Sequence, residues 1–163
     1  MFEGFDLPDK MRAKLKNRTE LKKQLAAGLS PQQILAISQE TMETFYEAAY
    51  QLLLHQRYNE AAHAFLFLVT LNSYDARYWT GLGLSSQFCQ EYEGALDAYE
   101  MAAICDIDDP TPYYHMAKCL FALHDRESAL AACNLAIEYA DDMPQFETLK
   151  KEAIKAKKIL EDS

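Results

Sequence analysis

An all-α solenoid of stacked helix pairs is the fold this sequence predicts, on three observations. One helix-pair pattern runs three times without a gap at a period of 34 residues, over 42–75, 76–109 and 110–143. Small residues recur at two fixed places in every copy: Ala49, Gly83 and Ala117 in the first helix, and Ala61, Ala95 and Ala129 in the second. A single amphipathic helix follows the third copy, as a solenoid needs to cover its exposed end.

In chain order, residues 9–27 read as one charged helix with Met11, Leu15, Leu21 and Leu25 as its apolar residues. Gly28 ends it at the place of a C′ glycine. Ser30-Pro31-Gln32-Gln33 starts a second helix, with a serine cap, proline at the first helical position and glutamine closing a capping box. Ile34, Leu35 and Ile37 form a short apolar face on it. The segment 1–41 therefore carries apolar residues with no evident repeat partner, which predicts a homodimer formed through the N-terminal helices.

The middle repeat gives the clearest signature. Trp79, Leu82 and Gly83 open its first helix, and Ala95, Tyr99 and Ala102 mark its second. The matching residues are Phe45, Ala48, Ala49, Ala61, Phe65 and Leu68 one period earlier, and Tyr113, Met116, Ala117, Ala129, Cys133 and Ala136 one period later. The small residues let paired helices approach closely, and the large ones fill the wedge between pairs. Period and signature are those of the tetratricopeptide repeat. Turns are expected at His55–Tyr58, Leu71–Asp75, Cys89–Tyr92, Asp106–Pro112 and Leu123–Arg126, with Asp109 capping a helix that starts at Pro110. From Pro144, over 144–163, Phe146, Leu149, Ala153, Ala156 and Leu160 form one apolar stripe on a capping helix.

Composition narrows the function. The longest apolar stretch, Ala64 to Val69, is far too short to span a bilayer, so no stable membrane insertion is expected. No apolar core follows the basic N-terminal residues as in a secretory signal, and a cytosolic protein is expected. Residues 42–143 hold 16 acidic and 4 basic side chains, while the remaining basic residues cluster in 10–23 and 150–158. A nucleic-acid binder needs positive charge on its folded docking surface, so nucleic acid is not an expected partner. Cys89, Cys105, Cys119 and Cys133 form no C-x-x-C pair and read as free thiols. His115 and Cys119 share a helix face, but no third convergent ligand or base accompanies them. No metal, cofactor or catalytic activity is expected.

The second, fifth, ninth, twelfth and thirteenth places of each repeat line the concave face of such a scaffold. They are Glu43, Tyr46, Tyr50, Leu53 and Leu54; then Arg77, Thr80, Leu84, Gln87 and Phe88; then Thr111, Tyr114, Lys118, Phe121 and Ala122. Tyr46, Tyr50, Leu84, Tyr114 and Phe121 make this an apolar, aromatic trough, the kind of surface that marks a binding site. Tyr46, Tyr50, Thr80 and Leu84 hold places where a clamp for acidic C-termini needs Lys and Asn, so that use of the scaffold is not expected.

Several segments resemble the class II chaperones of bacterial type III secretion. They are Gly28-Leu29-Ser30 with Ile34, Ile37 and Ser38, Phe45-Tyr46 with Ala48-Ala49-Tyr50, and Leu71 to Tyr78 with Gly81-Leu82-Gly83. Ala103 to Ile107 and Tyr114 to Leu120 extend the likeness. The resemblance implies a cytosolic bacterial chaperone without enzymatic activity. Its groove would hold an extended segment of a hydrophobic translocator protein and keep it soluble and unassembled before export. Tyr46, Tyr50, Leu53, Arg77, Thr80, Leu84, Gln87, Tyr114, Lys118 and Phe121 are the expected client contacts. A generic repeat adaptor or regulatory interaction module is the second reading, because a fold does not fix a function.

Overall fold

The computed structural model describes residues 9–163, apart from the side chain of Met11; residues 1–8 lie outside the described residues, as does the expected apolar role of Met11. Among the described residues there is no strand. The helices are α1 (Asp9–Lys16), α2 (Arg18–Ala26), α3 (Pro31–Leu35), α4 (Gln39–Leu54), α5 (Tyr58–Leu71), α6 (Ala76–Phe88), α7 (Tyr92–Cys105), α8 (Thr111–Ala122), α9 (Arg126–Tyr139) and α10 (Glu147–Asp162). Helix pairs α4–α5, α6–α7 and α8–α9 form the repeats, and α10, entered through a 3₁₀ turn at Pro144–Phe146, packs on α9 and α8. First helices of successive pairs touch, α4 on α6 and α6 on α8, whereas the second helices α5, α7 and α9 are splayed apart. The stack therefore curves, with the first helices on its concave side.

The N-terminal region departs from expectation in two ways. Residues 9–27 are not one helix: Asn17 leaves helical geometry and its side chain accepts from the Glu20 amide at 3.2 Å, so α2 starts afresh there. Asparagine competes for backbone hydrogen bonds in this way and favours caps over helix interiors. Nor do Ile34, Leu35 and Ile37 lack an intrachain partner. Ile34 is buried, while Leu35 and Ile37 pack on the core cluster built from α4, α5 and α6. Gly28 has φ +80°, with Gly28 N–H donating to Leu25 O and Leu29 N–H to Gln24 O, the paired bonds of a Schellman motif. The Ser30–Gln33 capping box is formed in both directions.

The three turns inside the repeats share one geometry at the same 34-residue spacing. Gln56, Gln90 and His124 sit at φ 60°, 64° and 62°, and the residue after each bonds back to the third-last helical carbonyl. Left-handed backbone at residues with a Cβ is strained; it is repaid by the carbonyls this bonding satisfies. Asp109 Oδ1 accepts from Thr111 N at 2.9 Å and so closes the turn into α8, but the N-cap position falls to Pro110 and regular helix begins at Thr111.

Packing follows the small-residue pattern. Ala49, Ala61, Ala95, Ala117 and Ala129 are buried, with Phe65, Leu68, Tyr78 and Tyr99 as the large side chains of the core. A Cβ on Gly81 would lie 2.2 Å from the Phe65 ring, and one on Gly83 would lie 2.6 Å from the Tyr99 ring. At the far end Leu160 and Ala156 cover Ala117, Ala129 and Cys133.

Removing everything after Met143 strips that cover. Burying one leucine stabilises by about 1.5–3 kcal/mol, and the half-buried Phe146 and Leu149 are lost as well. The truncated chain is expected to aggregate, or to melt roughly 5–10 °C lower by circular dichroism. An unchanged melt of a monodisperse truncation would show that α10 caps nothing.

Candidate functional site

Six of the ten expected client contacts come together. Tyr46, Tyr50 and Leu53 from α4 and Arg77, Thr80 and Leu84 from α6 line one cavity of about 250 Å³ on the concave side. Its remaining walls are Phe65, Ala76 and Gly81, together with Asp106 and Asp109 from the α7–α8 loop. Helical spacing explains the α4 wall: places 46, 50 and 53 recur every three to four residues and share a face. The Gly81 backbone leaves room for the Phe65 ring to reach the same cavity.

The two tyrosines differ in setting. Tyr50 is 43% exposed and stacks on Tyr46 with ring centroids 6.2 Å apart. Tyr46 is half-buried and packs edge-on to Phe65 at 6.1 Å and beside Tyr78 at 5.8 Å. Burial holds its hydroxyl above the usual phenol range. Tyr46 therefore serves the core as well as the trough, and Tyr50 belongs to the trough.

Arg77 fixes this corner. Its guanidinium lies over the Tyr46 ring, 4.8 Å from the centroid, a cation–π arrangement. It donates to both carboxylate oxygens of Glu43 (2.7 and 3.1 Å) and to both of Asp75 (2.7 and 3.1 Å). Glu43 and Arg77 are one repeat apart, so the same place in successive first helices supplies the two partners. The hydrogen bond from Arg77 holds the Glu43 carboxyl below its ordinary value, and those to Asp75 and Glu43 raise Arg77 further.

The other expected contacts lie further along the groove. Lys118 and Phe121 line a second, almost wholly apolar hollow of about 170 Å³ with Ala117, Cys133, Ala156, Ile159 and Leu160. Tyr114 stands beside it, with the Lys118 Nζ 4.3 Å from its ring centroid. Gln87 is tied inward, its Oε1 accepting from the Tyr99 hydroxyl at 2.7 Å. Of the remaining trough places, Phe88 stacks on Tyr58 at 4.8 Å. Reasoning from first-helix positions did not reach Asp106, Asp109 or Ile159, which come from a loop and from the capping helix. Their signal was only the acidic run Asp106–Asp109 and an isoleucine beside the α10 stripe.

The His115–Cys119 pair sits in the core between repeats two and three. His115 stacks on Tyr99 at 5.4 Å, and burial, with a smaller push from Lys118, lowers it to about 4. Burial raises the Cys119 thiol to about 11. Both are thus held neutral, the opposite of the thiolate and imidazolium that nucleophilic chemistry uses. Among the described residues no group of three or more His, Cys, Asp or Glu is placed to hold a metal ion, and no helix is long and apolar enough to cross a membrane.

No family model matches the chain. Low calcium response locus protein H of Yersinia pseudotuberculosis is 34% identical over 131 residues, covering 77% of this chain and 78% of the relative. Among solved structures, PcrH of Pseudomonas aeruginosa in complex with the chaperone binding region of PopD is 30% identical, covers 77% of this chain and 95% of that one, and superposes with a TM-score of 0.76. A type III secretion complex from Aeromonas hydrophila reaches a TM-score of 0.84 at 25% identity, over 89% of this chain and 97% of that one.

The His115 environment makes stability depend on pH. The unfolded imidazole titrates near 6.5 and the folded one near 4. Between those values the unfolded state binds more protons, so the stability from the neutral imidazole is complete above about pH 6.5 and is lost as pH falls toward 4. From pH 7 to pH 5 the loss is expected to be about 1–2 kcal/mol. His115→Phe, which keeps a ring against Tyr99, should flatten that slope in urea melts. Equal slopes for both proteins would contradict the assignment.

Proposed function

This chain belongs to the class II type III secretion chaperones, and from that membership we propose that its concave groove holds an extended, partly apolar segment of a translocator protein in the bacterial cytosol. The carrying observation is the cavity between α4 and α6, an aromatic hollow that a folded protein exposes to water only at a cost. Tyr50 offers a face to an incoming apolar side chain while its hydroxyl stays hydrated. The Thr80 hydroxyl, its proton committed to Ala76 O, can still accept from the backbone of an extended peptide, whereas Gln87, tied inward to Tyr99, keeps only its amide nitrogen for that use. Lys118, Phe121 and Tyr114 continue the contact toward α10. Masking the segment keeps the translocator soluble and unassembled until export, and the role is binding rather than catalysis.

Tyr50→Ala is the cleaner of the two tyrosine tests, because Tyr46 also supports the core. Co-expression with the translocators of its own secretion system should return a soluble complex. Tyr50→Ala should weaken that complex by about 2 kcal/mol, roughly thirtyfold, with an unchanged thermal melt. Soluble translocator without the chaperone, or full affinity in the variant, would overturn the reading. Co-purification with soluble partners alone would point instead to the generic adaptor.

We assign self-association to the segment 1–41, through α1 and α2. Leu15 and Leu25 are 44% and 56% exposed, whereas the apolar residues of α3 are engaged in the chain's own core. The double variant Leu15→Glu/Leu25→Glu is expected to sediment as a monomer while the unmodified chain sediments as a dimer. Identical sedimentation of the two would refute this interface.

A further inference from the structure

The cavity between α4 and α6 has an apolar floor but an electrostatically unbalanced rim. Glu43 and Asp75 stand beside it and are answered by Arg77, which spends both edges of its guanidinium on them. Asp106 and Asp109 line the same cavity from the α7–α8 loop; Arg77 lines it too, but among the described residues neither aspartate forms an ion pair with it or with any other basic side chain. Their side-chain bonds go to backbone instead: Asp106 Oδ1 accepts from Asp108 N at 3.3 Å and Asp109 Oδ1 from Thr111 N at 2.9 Å. The repeats as a whole carry 16 acidic against 4 basic side chains, so the surface around this rim is itself acidic.

We infer that the client residue next to the apolar anchor in this cavity is a lysine or arginine, held by Asp106 and Asp109. The inference rests on the groove reading above and sharpens it by naming the occupant's chemistry. An apolar side chain enters between Tyr50 and Leu84, and the adjacent basic side chain leans over the α7–α8 loop. An acidic residue at that place would meet unpaired carboxylates and be rejected, which gives specificity beyond hydrophobic fit. The two aspartates are thus specificity-determining, while the apolar wall supplies most of the affinity.

Asparagine at both positions keeps the oxygen that accepts from the backbone and so preserves these loop bonds while removing the charge. The experiment uses the full chain, the double variant Asp106→Asn/Asp109→Asn, and Tyr50→Ala. A random-sequence peptide library displayed on phage is selected on each, with thermal melts as the folding control. Unmodified protein should enrich peptides with an apolar residue beside lysine or arginine, and the double variant should keep the apolar preference and lose the basic one. A selected peptide made synthetically should bind the double variant roughly fivefold more weakly by fluorescence anisotropy, with the difference shrinking as salt is raised. Apolar enrichment with no basic bias, or with the same bias on the double variant, overturns the inference and leaves the groove reading standing. Enrichment that survives Tyr50→Ala unchanged overturns both.

Discussion

The contact on which the structure depends is the pair of aromatic rings laid against the bare backbone of α6. Phe65 from α5 meets Gly81, and Tyr99 from α7 meets Gly83, at positions where a Cβ would approach within 2.2 and 2.6 Å of ring carbons. Both rings are fully buried. With α6 held between the two, repeat one is joined to repeat two and the second repeat is closed on itself. The same contact builds the site, because Phe65 and Gly81 are both walls of the cavity that Tyr50 faces. Core and groove are consecutive faces of one packing arrangement, so damage at Gly81 would be felt in both.

The third repeat breaks the pattern, with a visible result. The place held by Phe65 and Tyr99 is Cys133 there, and the facing small residue is Ala117. A thiol cannot fill the space of a ring, and a hollow of about 170 Å³ remains, bordered by both residues and closed by Ile159 and Leu160 of α10. One period after Gly81 stands His115, whose imidazole lies flat on Tyr99. The second interface thus trades a bare backbone for a stacked ring. It also leaves the groove with a second apolar depression beside Phe121, which is 53% exposed.

Much of this was legible in the sequence because repetition converts one recognised position into three. The small residues, the aromatic wedges, the capping box at Ser30 and the glycine stop at Gly28 all follow from local chemistry at known spacing. The break at Asn17 was harder to see, since one cap inside a charged stretch competes with ordinary helix propensity. The docking of Ile34, Leu35 and Ile37 on the core was missed because tertiary contact, unlike period, leaves no mark along the chain. For the site, periodicity found the α4 and α6 walls. It found neither Asp106 and Asp109, which a loop folds over the cavity, nor Ile159 on the capping helix. It also could not tell that Gln87 is turned toward Tyr99 or that Tyr46 has a share in the core.

That double duty of Tyr46 bears on how the groove achieves affinity. An aromatic side chain free to rotate in water must be ordered when it binds, and the ordering lowers the net gain. Tyr46 is already ordered. Phe65 and Tyr78 pack against its ring, Arg77 covers it, and Glu43 and Asp75 hold Arg77 in place. Tyr50 stacks on this fixed neighbour and inherits a preferred orientation while still open to solvent. The arrangement places a packed ring behind a solvent-exposed one, so on the proposed reading an entering side chain would order a single tyrosine rather than a whole wall. In the proposed complex Arg77 would act on binding without needing to touch the client, through the ring it holds.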